Sequence, residues 1–181
     1  MSLTDSIEIE CPNKYGIFVI LNPVANYFGA SVKPINIKII DNFVRGRPKS
    51  AAGYKLAANY APTVCPQKEV NKEGYHNILW THDDLIAEIG ACNIFFVIQH
   101  DNGERELLTP PTDGAILPGI TRKTALELLR KLPKNDKGEK LVHKVTERPV
   151  SVSEIHKLLE SDKVLECFGC GTAVVVAPVK V

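Results

Sequence analysis

Long apolar runs are missing from this chain. None approaches the roughly 20 residues that a membrane-spanning helix needs, so no membrane partner is expected. An excess of one charge is missing too. Twenty-two lysines and arginines stand against 21 acids, a net charge of +1, and nothing in that balance calls for nucleic acid as a partner. Residues 1–12 are short and partly acidic and lack an apolar centre, which argues against a secretory leader. The five cysteines, Cys11, Cys65, Cys92, Cys167 and Cys170, are an odd number at irregular spacing. They make a poor disulfide framework and fit a reducing, intracellular setting.

Several chemistries are absent as motifs. There is no Gly-x-Ser-x-Gly elbow and no phosphate loop ending in Gly-Lys-Ser/Thr. The five histidines, His76, His82, His100, His143 and His156, form no His-Glu-x-x-His pair. Cys167-Phe168-Gly169-Cys170 does spell Cys-x-x-Cys. A redox pair of that kind wants a strand before it and a helix after it, so that the helix N-terminus can acidify the first thiol. Here a glycine turn and a strand are expected to follow. A zinc site would need a second ligand pair. The expectation is a turn flanked by ordinary thiols, with no metal bound.

What is present is ordinary for a globular domain: 44% hydrophobic, 24% charged and 7% aromatic residues in a chain of 181, enough for one substantial core. Residues 17–21 form a short apolar run closed by Asn22-Pro23, and residues 35–40 alternate apolar and polar; both read as strands. The basic stretch 45–53 reads as a loop. Residues 55–73 read as helix with a break near Pro66. Residues 77–80 and 93–98 read as strands, with Asp101-Asn102-Gly103 as a hairpin turn. Gly119-Ile120-Thr121 opens a helix whose apolar residues follow helical spacing until Pro133. Residues 134–140 read as a charged surface loop. Ser151 to Glu154 caps a further helix through Leu159, and 172–177 reads as the last strand. No repeat or linker is visible. Strands and helices do not alternate regularly, which disfavours a doubly wound parallel sheet. The expected class is mixed α/β (α+β), with a mixed sheet or distorted barrel.

Four segments together carry a resemblance. They are Gly53-Tyr54-Lys55-Leu56-Ala57-Ala58-Asn59-Tyr60; Ile86-Ala87-Glu88-Ile89-Gly90-Ala91-Cys92-Asn93-Ile94-Phe95; the stretch from Thr109-Pro110-Pro111 through Leu117-Pro118-Gly119-Ile120-Thr121-Arg122; and Phe168-Gly169-Cys170-Gly171-Thr172-Ala173. In this order and spacing the chain resembles the branched-chain amino-acid aminotransferases, from about Ile17 to Pro178. The resemblance implies the distorted-barrel large domain of the D-amino-acid aminotransferase-like fold, and pyridoxal 5'-phosphate as cofactor. It implies an activity that moves the amino group of leucine, isoleucine or valine to 2-oxoglutarate, in biosynthesis or catabolism. It also implies a homodimer and a cytoplasmic or mitochondrial place.

The site residues follow from the same resemblance. Lys55 matches the lysine that carries the cofactor, a task that needs an amine able to attack an aldehyde and to shuttle a proton. By composition alone it is one lysine among many. Glu88 matches the carboxylate facing the pyridine nitrogen, where a negative charge keeps the ring protonated; its apolar neighbours Ile86, Ile89 and Ile94 suggest a buried acid that needs a partner. Tyr60 matches the tyrosine bonded to the cofactor's phenolic oxygen, and Arg45 matches an arginine near the cofactor. Leu117, Gly119, Ile120 and Thr121 end a loop and open a helix, and free amides there suit a phosphate; ordinary capping is the plain alternative. Gly171 and Thr172 match a second phosphate contact, and the amides of Thr172 and Ala173 match the receptor for the substrate carboxylate.

The departures are specific. Glycines usual after the lysine are Ala57 and Ala58, and the usual glycine-rich approach to it is replaced by Arg47-Pro48-Lys49-Ser50-Ala51-Ala52. The usual threonine is Ala91, and the positions of the redox cysteines hold Val174 and Ala177. The resemblance also implies a small N-terminal domain and a C-terminal part of the large domain beyond these residues. The expectation is therefore that residues 1–16 are an extension or a remnant of the interdomain region. Residues 17–181 would be the cofactor-binding domain, incomplete at its C-terminus, and the isolated piece would transaminate poorly or not at all. Two other readings stay open. One is a D-amino-acid aminotransferase or aminodeoxychorismate lyase of the same fold; the other is a non-catalytic binding or assembly domain.

Overall fold

Dense apolar and β-branched residues between positions 77 and 109 build an antiparallel meander, and the rest of the domain wraps around it. The structure is a computed structural model and describes residues 13–23, 33–132 and 134–181. Strand β1 is Ile37–Ile39; the meander is β2 (Asn77–His82), β3 (Leu85–Ile89), β4 (Cys92–Gln99) and β5 (Arg105–Thr109). Strands β6 (Lys144–Glu147), β7 (Val164–Gly171) and β8 (Val175–Val179) follow. The helices are α1 (Val64–Lys72), α2 (Ile120–Lys131) and α3 (Val152–Glu160).

Tight turns set the meander's register. His82 pairs with Leu85, so Asp83 and Asp84 alone make the first turn, with φ of 49° and 63°. Two left-handed residues suit a two-residue hairpin. Ile89 pairs with Cys92 across Gly90-Ala91, and Gly90 has φ 55°. A Cβ on Gly90 would lie 2.2 Å from the Asn77 amide, which would have to shift, and the left-handed φ favours glycine there. The hairpin expected at Asp101-Asn102-Gly103 joins β4 to β5.

Strand β4 is the spine. It pairs with β3 and β5, and it also pairs antiparallel with β7. β8 follows β7, and the segment before β1 bonds back to β8: the Ile35 N–H donates to Pro178 O at 2.9 Å and Lys180 N–H donates to Ile35 O at 3.0 Å. β1 lies parallel to β2. The ring β1-β2-β3-β4-β7-β8 thus closes, with β5 and β6 extending from β4. This is the mixed α/β, distorted-barrel architecture that the sequence led one to expect.

Alternation along β4 feeds two cores. Ile94, Phe96 and Ile98 point to the core that takes Ile155 of α3, while Phe95 and Val97 point to the one that takes Leu126 of α2. Phe95 stacks on Phe168 of β7 at 5.1 Å between ring centres. Burying a side chain such as Ile155 contributes about 1.5–3 kcal/mol. α3 begins as expected, with the Ser151 hydroxyl accepting from the Glu154 amide at 3.0 Å, a cap worth about 1 kcal/mol.

Four local expectations are corrected. Residues 17–21 form no strand; Ile17 is 92% exposed and the run has no ladder partner among the described residues. Residues 55–63 are not α-helix but short 3-10 turns, and α1 starts only at Val64. Pro66 does not break it, because the first turn has no use for that N–H. Cys167 to Cys170 form no turn: they lie inside β7, which sequence reading missed along with β6. Residues 172–174 are a turn, and β8 begins at Val175. Residues 1–12 and Pro133 lie outside the described residues; α2 ends at Lys131. Among the described residues no helix is long and apolar enough to cross a membrane.

Candidate active site

Three of the seven buried polar residues among those described, Arg45, Glu88 and Asn93, gather at one place. Strand β3 carries Glu88 into the interior at 2% exposure. Loop 40–50 brings Arg45 to it, and Arg45 Nη1 lies 2.8 Å from Glu88 Oε2, with each side chain 2% exposed. The Leu117 N–H donates to Glu88 Oε1 at 2.7 Å. Burial pushes the Glu88 carboxyl above its ordinary value, against the opposing pull of Arg45, the Leu117 amide and Lys55.

Tyr60 ties this buried pair to Lys55. The Arg45 guanidinium lies 5.3 Å from the centre of the Tyr60 ring, and Lys55 Nζ lies 4.5 Å from the same centre. Lys55 itself is exposed. The backbone just before it is held by Asn59, whose amide donates to Ala51 O at 2.7 Å and to Tyr54 O at 2.8 Å. Cations over an aromatic face are worth about 0.5–2 kcal/mol, more where water is excluded.

The loop at Leu117 runs into α2. Gly119 is the N-cap of that helix, with no side-chain cap and no acid in the first turn. The first amides of α2 are therefore open to an anion. Ile120 is 75% exposed and Thr121 half-buried, and no hydrogen bond of the Thr121 hydroxyl is seen among the described residues. Opposite this end of the sheet, Asn93 of β4 pairs with Cys170 of β7. Gly171 follows, so close to Cys92 that a Cβ there would lie 3.0 Å from the Cys92 Sγ. Thr172 and Ala173 stand exposed in the turn beyond, and no hydrogen bond ties them to the Glu88 cluster.

The structure thus joins Arg45, Lys55, Tyr60, Glu88 and Leu117 by direct contacts. Gly119 lies against Asn93, which is itself bonded to Glu88. Sequence reading missed Asn93 and Arg122. Asn93 is a buried polar residue at the head of an apolar strand run, which is the trace it leaves in the sequence. Arg122 is 4% exposed and donates to Pro110 O and Glu147 Oε2, bracing the loop between β5 and α2. Among the described residues no group of three or more His, Cys, Asp or Glu could hold a metal.

The chain matches the family described as amino-transferase class IV over residues 2–181. It belongs to that family. A class IV relative, the branched-chain-amino-acid aminotransferase of Dictyostelium discoideum, is 37% identical over 177 residues, covering 97% of this chain and 45% of that protein. The solved branched-chain amino acid aminotransferase of Escherichia coli superposes with a TM-score of 0.66 at 25% identity, over 87% of this chain and 46% of that one. An aminotransferase from Brucella abortus bound to the co-factor PLP shares the fold, with a TM-score of 0.63 at 24% identity over 83% and 47% of the two chains. This class IV chain spans less than half the length of each of these proteins.

Three features of the site suit a phosphorylated, ring-bearing cofactor. Arg45 Nε and Nη2 are buried with no hydrogen-bond partner among the described residues, an unused donor capacity beside Glu88. The α2 N-terminus is uncapped. Lys55 beside this cluster is exposed, with Nζ against the Tyr60 ring.

Proposed function

We propose that this chain is the greater part of the cofactor-carrying domain of a branched-chain amino-acid aminotransferase that works with pyridoxal 5'-phosphate. The observation that carries the reading is the buried Arg45–Glu88 pair, joined through the Tyr60 ring to a lysine that is free to move. In this reading the parent protein moves an amino group between leucine, isoleucine or valine and 2-oxoglutarate, as a homodimer in the cytoplasm or mitochondrion.

Bound pyridoxal phosphate supplies an aldehyde that captures amines and a ring that draws electrons from the adjoining carbon. The residues of this chain do the rest. Lys55 Nζ holds the group and moves the proton at the substrate's α-carbon. Glu88 holds a proton on the ring nitrogen. A carboxylate this buried keeps its charge only with help, and Arg45, Lys55 and the Leu117 amide give it. Tyr60 donates its hydroxyl to the ring oxygen. The amides from Leu117 through Gly119 and Ile120 to Thr121 bind phosphate at the α2 N-terminus, with Gly171 and Thr172 on the other side. The Thr172 and Ala173 amides bind the substrate carboxylate.

The test is chemical trapping. The chain is mixed with pyridoxal phosphate and reduced with borohydride, and the modified residue is mapped by mass spectrometry. The reading requires the label on Lys55. Label confined to other lysines, or no label, overturns it.

A further inference from the structure

Asn93 makes a link that the cofactor reading leaves unused. It is 4% exposed and stands opposite Glu88 in the β3–β4 register. Its Nδ2 donates to Leu117 O at 2.9 Å and to Glu88 Oε1 at 3.3 Å. The Leu117 N–H donates to that same Oε1 at 2.7 Å, so carboxylate, carboxamide and the Leu117 backbone close a ring of three hydrogen bonds. The other end of the Asn93 side chain faces Gly119, where a Cβ would lie 2.3 Å from Oδ1. One side chain therefore holds both ends of the 117–119 turn, through a bond at Leu117 and through close packing at Gly119.

We propose that Asn93 is a positioning residue that fixes the 117–119 loop, and with it the uncapped N-terminus of α2, in register with the Glu88 carboxylate. The proposal rests on the reading under Proposed function and deepens it. A rigid ring-and-phosphate ligand needs its carboxylate and its anion cradle at one separation. Glu88 sits on the sheet, whereas the cradle sits at the end of a long loop from β5. Asn93 belongs to the sheet and reaches both. An aspartate here would keep the shape, lose both donated bonds and set a second carboxylate beside Glu88. A glycine at 119 is explained by the same contact, because any side chain would push the carboxamide away.

The experiment compares the wild-type chain with Asn93→Ala, Asn93→Asp and Gly119→Ala. Without cofactor, hydrogen exchange at the Leu117 amide is expected to quicken about tenfold in all three, as the loss of one clamped bond allows. The Ile78 and Ile94 amides of the sheet are expected to stay protected, which shows that the variants are folded. With ligand, affinity for pyridoxal 5'-phosphate is expected to fall about tenfold, while affinity for pyridoxal, which lacks the phosphate, falls less than about threefold. General damage to the domain would weaken both ligands alike. Unchanged exchange at Leu117 in the folded variants, or equal weakening of the two ligands, overturns the proposal. A wild-type chain that takes up neither ligand overturns the reading under Proposed function instead, and the exchange measurement then decides this one by itself.

Discussion

Replacing Arg45 with leucine strands Glu88. The two side chains are each 2% exposed and 2.8 Å apart, so the carboxylate loses a full charge partner and keeps only the Leu117 amide and Asn93 as donors. Breaking a buried pair from one side costs about 3–5 kcal/mol. The lower end applies here, because Arg45 Nε and Nη2 have no hydrogen-bond partner among the described residues and their burial ceases to be a cost once they are removed. Domains are stable by about 5–15 kcal/mol, so this one change removes a fifth or more of the total. With a urea slope of about 2 kcal/mol per molar, the midpoint drops by about 1.5 M.

The pH dependence separates a stranded charge from a mere cavity. Glu88 has a raised proton affinity in the folded chain, chiefly from burial, with Arg45 foremost among the groups pulling it down. A raised carboxyl contributes stability that is fully present below its unfolded value of 4.5 and is lost as pH rises through its folded value. Removing Arg45 lifts the folded value further. The loss in Arg45→Leu is therefore expected to be large at about pH 8 and much smaller at about pH 5, where Glu88 takes up a proton. Trp80 is the single tryptophan and is 1% exposed, which makes its fluorescence a direct reporter of urea unfolding. Adding Glu88→Leu to the variant is expected to restore stability at about pH 8, since an apolar replacement of a whole pair is often neutral or better. An equal loss at both pH values, or a double variant as weak as the single one, would refute the reasoning.

Three further outcomes are expected. Thiol reagents at about pH 8 should modify the exposed Cys65 and spare Cys167 and Cys170, whose thiols burial pushes up to about 12, until urea opens the fold; fast labelling of either in the native chain contradicts this. Val175 has φ 58°, a left-handed backbone that costs a β-branched residue about 1–2 kcal/mol. Val175→Gly should raise Tm by about 1–3 °C after glycine's own entropic cost, and a fall in Tm would refute the strain. Glu147 has a lowered proton affinity, chiefly from the hydrogen bond of Arg130, with Arg122 adding to it against the effect of burial. Its contribution is present above the unfolded value of 4.5 and is lost as pH falls through the lowered folded value. Glu147→Gln should therefore destabilise the chain near neutrality, and the gap to wild type should close below about pH 4; a gap that persists in acid refutes the link.

How much of this was legible before the structure depends on whether the deciding interactions are local. Turn and cap chemistry is local, so Asp101-Asn102-Gly103 and Ser151 to Glu154 read correctly. The strand at 85–89 went unread: its apolar residues marked Glu88 as a buried acid, but the partners Arg45 and Leu117 lie far off in sequence. The Cys-x-x-Cys stretch suggested a turn by its glycines, yet β4 and β8 flank it on both edges and hold it as strand. The run at 17–21 failed for the opposite reason. Its apolar residues suit a strand, but no ladder partner stands beside it among the described residues, and propensity without a ladder does not make one. The reach of Asn93 to Leu117 and Gly119 depends wholly on how a long loop folds back, and no spacing rule encodes that.

The resemblance singled out Lys55, while the structure puts its tightest construction around Glu88, and the difference has a chemical reason. Under the proposed function, a group that holds charge on a ring must not move, and Glu88 suits that part: it sits in the sheet with each oxygen bonded, Oε2 to Arg45, Oε1 to the Leu117 amide and Asn93. In the same proposal, a group that holds a cofactor and then carries a proton must swing, so it needs a firm backbone and a free end. Lys55 has both. Asn59 pins Ala51 O and Tyr54 O near it, while Nζ lies against the face of Tyr60 and the side chain stays exposed. Tyr60 is the hinge between the two halves, with Arg45 of the fixed side and Lys55 of the mobile side both lying against its ring. A substitution at Tyr60 that removes the ring should therefore loosen the lysine without stranding Glu88. Tyr60→Ala is expected to leave the pH dependence of unfolding near that of wild type while slowing borohydride trapping at Lys55. A steepened pH dependence in that variant would show that the two halves are not separable in this way.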